Sequence, residues 1–189
     1  MTPEWVTAAA SGATLVVVAI AAFAALRQMA HMRAGNQVTL FSAYNTEWDS
    51  PEFSSAYAFV RSLSIDTIEN KTLEDLAQGR YAGEFHSIRL IANFFEDLGA
   101  LVEVGLLPKT LICMLYGGNI SDLWRKLSPI IYYLREARGD SSVWEHFEYL
   151  AVVSEDFNAA HPHGVFPSGV RRMPVDRSLT ERYARIRGA

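Results

Sequence analysis

The chain has 189 residues, half of them hydrophobic by a broad count, with 17 Lys and Arg against 21 Asp and Glu and a formal net charge of −4. Its single cysteine, Cys113, excludes a disulfide scaffold and a cysteine-rich zinc site, and agrees with a reducing compartment. The length allows one hydrophobic core beyond the N-terminal apolar run and does not call for two.

Residues 1–5, Met-Thr-Pro-Glu-Trp, are a short N-terminus with one acid and no base. From Val6 to Leu26 no residue is charged, and only Thr7, Ser11 and Thr14 are polar. As a helix these 21 residues would measure about 31 Å, matching a hydrocarbon core of ~30 Å. A buried helix of a soluble protein would show a polar stripe, and none is present. Ala22-Phe23-Ala24 has the small-x-small form of a signal-peptidase site. The missing basic n-region and the length of the run argue instead for a retained transmembrane helix over 6–26. Glu4 is the only charge before the run, whereas Arg27 and Arg33 follow it. Positive residues stay inside, so the N-terminus is expected outside and the body in the cytoplasm at the plasma membrane. Trp5 stands where an interfacial anchor would. Ala8-x-x-x-Gly12 and Ala21-x-x-x-Ala25 have the spacing of close-packed transmembrane helices, which leaves a homo-oligomer open.

Residues 27–49 are expected to continue the span as a juxtamembrane helix, with Leu40, Tyr44 and Trp48 at four-residue spacing and Gly35-Asn36 as a point of loosening. A helical bundle then occupies 50–160. Ser50 as N-cap, Pro51 at the first position and Glu52 in the first turn open a helix that ends near Leu63, with Phe53, Tyr57 and Val60 on one face. "TLED" at 72–75 reads as a capping box for a short helix. A long helix covers about 80–104, with Phe85, Ile88, Ala92, Phe95, Leu98 and Val102 inward and Gly105 as terminator. "LLPKTLICMLYGG" reads as a short helix opened by Pro108 and closed by Gly117-Gly118. The next starts at Ser121, bends or breaks at Ser128-Pro129, and stops at Gly139 with Arg135 and Arg138 in its last turn. Ser142-x-x-Glu145 reads as a capping box for a last bundle helix carrying Trp144, Phe147, Leu150 and Ala151 inward. No sustained period-two alternation is present. The expected fold is all-α: one transmembrane helix, then an antiparallel cytoplasmic helical bundle.

"IANFFEDLGALVEVGLL" (91–107), "LWRKLSPIIYYLRE" (123–136) and "WEHFEYL" (144–150), with "YNTEWDSPEFSSAYAFVR" (44–61), resemble uncharacterised-domain family 4760 over roughly residues 15–155. The resemblance implies a bacterial, membrane-anchored protein with a helical cytoplasmic body. It implies no activity.

On the long helix His86, Arg89, Asn93, Glu96 and Glu103 share one stripe. The plain reading is a solvated face. The alternative is a site for a ligand or partner formed by His86, Arg89, Asn93 and Glu96, with His146 completing a metal- or ligand-binding sensor or an enzyme. Asn93, set among Ile91, Ala92, Phe94 and Phe95, would need partners if buried. The histidines lack the Glu-x-x-His order of di-iron bundles and the His-Glu-x-x-His of zinc proteases, so no metal site and no cofactor are expected. Convergence of His86, His146, Glu96 and Glu148 from separate helices is the one arrangement that would revise this. No nucleophile elbow and no phosphate loop occurs, and Cys113 lies in an apolar run that suits an inert core thiol. Catalysis is therefore unsupported.

The tail, 161–189, differs in kind. Its six arginines, Arg171, Arg172, Arg177, Arg182, Arg185 and Arg187, stand against Asp176 and Glu181, while residues 1–160 carry a net charge of −8. Pro162, Pro167 and Pro174 keep its first part irregular, and "SLTERYARIR" could close it with a short helix. Such an arm suits an anionic lipid surface or the acidic body. Nucleic acid is not expected, because Tyr183 is the only aromatic among the arginines. The leading expectation is a membrane-tethered interaction or regulatory scaffold that contacts the bilayer through 6–26 and an unidentified protein partner through its body.

Overall fold

The structure, a computed structural model, describes residues 3–174, 177–178 and 182–184, without the side chains of residues 4–6, 8–10, 30, 67 and 84. Among these residues it is all-helical, with no strand. Six α-helices follow in order: α1 (Pro3–Trp48), α2 (Pro51–Ser62), α3 (Asn70–Ala77), α4 (His86–Glu103), α5 (Lys109–Arg138) and α6 (Glu145–Ala160). Short 3-10 turns at Ile65–Thr67 and Gly83–Phe85 precede α3 and α4.

α1 is a single helix of 46 residues, unbroken at Gly35-Asn36. At ~1.5 Å per residue it is about 69 Å long. Its first part is apolar enough to cross a membrane and packs against nothing: Leu15 through Leu26 are exposed. Its last turns are different. Leu40, Phe41, Tyr44 and Trp48 recur at helical spacing and pack against the buried core.

The start of α2 follows from its sequence. The Ser50 hydroxyl accepts the Phe53 N–H at 3.0 Å, and Pro51 occupies the first helical position where no donor is needed. Phe53, Ala56 and Val60 form its buried face, and Leu63 is its C-cap. The chain leaves α4 and α5 through Gly105 (φ 72°) and Gly139 (φ 62°), left-handed positions that glycine takes without a Cβ clash.

Four local expectations are corrected. The long helix expected from about residue 80 starts only at His86, after the 3-10 turn at Gly83–Phe85. "TLED" does not cap α3, which begins two residues earlier at Asn70 after Glu69, with no side-chain cap bond. Gly117-Gly118 ends nothing, and α5 runs through it and through Pro129 for 30 residues. Gly117 is instead a place of close approach, since a Cβ there would stand 3.3 Å from Asn158 Oδ1 of α6. Pro129 is exposed, so its ring faces solvent. Finally, the Ser142–Glu145 box does not form: the Ser142 hydroxyl donates to Asp140 Oδ1 at 2.7 Å, and α6 starts after Trp144 without a local side-chain cap.

The core lies where α6 meets α4 and α5 and where α2 meets α4. Trp48 is its hub at the α1 end, with the rings of Phe53, Tyr57, Phe94, Phe95 and Tyr116 between 4.9 and 6.3 Å away. Phe95 stacks on Phe147 at 5.1 Å, and Trp124 meets Phe147 edge-on at 5.2 Å. Arg138, in the last turn of α5, donates to the carbonyls of Leu76 and Ala77 and so ties the end of α3 to α5.

Candidate functional site

The polar stripe of α4 is divided by the N-terminus of α6. Gly99 sits mid-helix and lets the two backbones touch: a Cβ on it would stand 2.2 Å from the carbonyl oxygen of His146. With α6 that close, its first turn meets Asn93, Glu96 and Glu103. Trp144 takes a left-handed conformation (φ 53°) to turn the chain into α6, and its indole N–H donates to Asn93 Oδ1 at 2.8 Å. A non-glycine residue there is strained, and the Asn93 bond and the Tyr81 ring at 6.4 Å help to hold it.

Glu96 replaces the missing local cap. Its Oε2 accepts the backbone N–H of Phe147 at 2.9 Å, one of the donors that α6 cannot satisfy internally. Its Oε1 bonds His146 Nδ1 at 2.8 Å, while His146 Nε2 lies 3.0 Å from Glu103 Oε2. The imidazole is thus held between two carboxylates one α4 heptad apart. The hydrogen bond to Glu96 raises its pKa above the ordinary histidine value. Burial opposes the rise, and the charges of Glu96, Glu103 and Glu145 add to it.

A second polar joint lies on the other side of α6. Arg135 of α5 donates through Nη1 to Glu148 Oε2 at 2.5 Å and through Nε to the Val143 carbonyl at 2.9 Å. The Tyr132 hydroxyl donates to Glu148 Oε1 at 3.0 Å. Burial pushes the Glu148 carboxyl up, but the bonds from Arg135 and Tyr132 outweigh it and hold the group below its usual range.

The residues singled out from the sequence therefore fall into two sets. Asn93 and Glu96 are joined to α6. His86 and Arg89 remain at the surface, 3.3 Å apart between Arg89 Nη2 and His86 Nδ1, with Glu52 4.0 Å from His86 and the Arg89 guanidinium over the Tyr81 ring at 5.6 Å. Of the four residues weighed for a converging metal set, only His146 and Glu96 meet, since Glu148 faces Arg135 and His86 faces Glu52. Among the described residues no group of three or more His, Cys, Asp and Glu side chains is arranged to hold a metal ion. Cys113 is buried beside Val153 and Ser154, and burial pushes its thiol up. Sequence reasoning missed the roles of Gly99 and Arg135; a glycine amid the apolar and acidic run "FEDLGALVE" was the available signal for the first.

In the tail, residues 165–174 form no helix, and the Arg172 guanidinium lies over the Phe166 ring at 4.5 Å. Ser178 and residues 182–184 are helical. Arg185 and Arg187, the Leu179 and Ile186 of the expected last helix, and the side chains of Trp5 and Ala8 lie outside the described ones.

Fold and site together define an all-α protein in which one N-terminal helix, apolar enough to cross a membrane, continues into a helical core closed by a carboxylate–histidine joint. The chain belongs to the family described as Domain of unknown function (DUF4760), whose profile matches residues 10–152, from the apolar part of α1 to the middle of α6. No curated protein and no solved structure matches the chain.

Proposed function

We propose that the chain is a membrane-tethered interaction module. Residues 6–26 cross the plasma membrane once with the N-terminus outside, and an antiparallel bundle on the cytoplasmic side meets a protein partner. The observation that carries this reading is the continuity of α1: the helix with an unpacked apolar half also supplies Trp48 to the aromatic centre of the body. Arg27 and Arg33 at the inner end set the orientation by the positive-inside rule. The tail leaves α6 beside Lys109 and Cys113, near the start of α5, so Arg171, Arg172, Arg177 and Arg182 begin from that end of the body as an arm for anionic lipid.

Two experiments test it. A reporter fused after Ala189 is expected to be active only where it functions in the cytoplasm, and signal from an exported reporter would overturn the topology. Purified from native membranes in mild detergent, the full chain is expected to carry a second protein in fixed proportion that a chain ending at Asp49 does not. Recovery of both free of such a protein would overturn the interaction role.

A further inference from the structure

The turn between α4 and α5, residues 104–108, exposes an apolar surface: Val104 is 67% and Leu106 44% accessible, and Leu111, Met114 and Leu115 follow on α5. Its level along α1 is fixed by shared grooves. Leu106 lines one with Met29, Met32 and Leu40, and Leu107 and Leu111 line another with Val38 and Phe41. Further along, the Tyr116 hydroxyl donates to Asn45. α5 therefore runs alongside α1 in the same direction, and the turn stands at the end of the body nearest the apolar run that closes at Leu26.

The distances are short. Met29 and Met32 lie three and six residues past Leu26, about 4.5 and 9 Å along a helix at ~1.5 Å per residue. The headgroup layer on each side of a bilayer is roughly 5–8 Å deep, from a ~30 Å core within ~40–45 Å overall. If 6–26 span the membrane, as proposed above, the groove that Leu106 lines opens at headgroup depth, at Met29, and extends to Leu40, about 21 Å past Leu26.

We propose that the α4–α5 turn is a second membrane-contact site, with Val104 and Leu106 entering the interfacial layer of the bilayer that α1 crosses. The charges agree with lipid as the occupant. Residues 104–110 contain no acid and one base, Lys109, and Arg33 lines the same groove as Leu106, so cations stand at this end of the body. Of the acids nearby, Glu103 faces His146, and Asp156 lines a groove with Lys109. Two attachment points, the span and the turn, would fix the tilt of the body on the membrane, which one helix cannot do.

The test uses the full chain in vesicles of phosphatidylcholine and phosphatidylglycerol, with Cys113→Ala to remove the native thiol. A nitroxide is attached in turn through Phe23→Cys, Val104→Cys, Leu106→Cys and Glu136→Cys. The ratio of collisions with oxygen to collisions with a water-soluble nickel chelate reports depth. Position 23 is expected to read as buried in hydrocarbon, 104 and 106 as interfacial with ratios several-fold above 136, and 136 as aqueous. Positions 104 and 106 matching 136 while 23 reads deep would overturn this inference and leave the span intact. A match of 23 with 136 would overturn the span and this inference together.

Discussion

Gly99 and His146 are in backbone contact: the space a methyl group would need on Gly99 is filled by the His146 carbonyl, 2.2 Å from the ideal Cβ position. Because backbone cannot swing aside as a side chain can, Gly99→Ala must push α6 away from α4. The same displacement lengthens the Glu96 bonds to His146 and to the Phe147 N–H. We expect a loss of about 1–3 kcal/mol from overpacking, read by chemical unfolding of the full chain in micelles with tryptophan fluorescence. Unchanged stability would show that the two helices do not meet at Gly99.

The histidine at that contact makes stability pH-dependent. An unfolded imidazole titrates near ~6.5, and in the fold the Glu96 hydrogen bond, with the neighbouring carboxylates, raises that value. A raised cationic group stabilises fully below its unfolded pKa and loses that contribution as pH rises through the folded one. The melting temperature should therefore fall across this window, and His146→Gln should remove that part of the slope. A wild-type and variant with parallel pH profiles would refute the joint.

Phe95 is fully buried and stacked on Phe147 between α4 and α6. Phe95→Ala should cost about 3–5 kcal/mol, as a large cavity in a packed core. A loss below about 1 kcal/mol would mean that the aromatic centre is not the core.

His86 serves as the contrast on the same helix. Its side chain is 44% accessible, and its ion-pair distance to Glu52 is a long 4.0 Å. His86→Ala should change stability by no more than about 0.5 kcal/mol. A larger loss would indicate a structural role that the surface contacts do not account for.

The tail prediction concerns salt. Each arginine near an anionic leaflet gains about 1 kcal/mol, offset by the two tail acids and the acidic body. Trypsin should cut at Arg171-Arg172 more slowly on anionic than on zwitterionic vesicles carrying the full chain. The difference should vanish at moderate salt, where the Debye length is ~8 Å. Equal rates at low salt would assign the arginines to the body or to a partner.

Much of the fold was legible where the signal is local. Ser50-Pro51 fixed the start of α2, and Gly105 and Gly139 marked real helix ends because left-handed backbone favours glycine. The family resemblance was also carried by contiguous segments, 44–61 and 91–107 among them. The misreadings arose where the cause is distant in sequence. Gly117 resembles a terminator but answers to Asn158, 41 residues on. The cap of α6 is Glu96 rather than Ser142, a bond spanning 51 residues that no spacing rule can reveal. Asn93 looked anomalous among apolar neighbours, and its partner, the Trp144 indole, became visible only once α6 was in place.

The unbroken run of α1 imposes a rule of phase. With ~3.6 residues per turn and ~1.5 Å rise, every residue between Leu26 and Leu40 turns the body by about 100° relative to the apolar stretch and moves it by that rise. One alanine inserted after Arg33 would swing the α4–α5 turn to a different side of the helix while leaving every core contact intact. Seven inserted residues would bring it back to within about 20°, roughly 10 Å further out. Which face the body turns toward the apolar stretch, and at what height, is therefore set by counting residues in this segment.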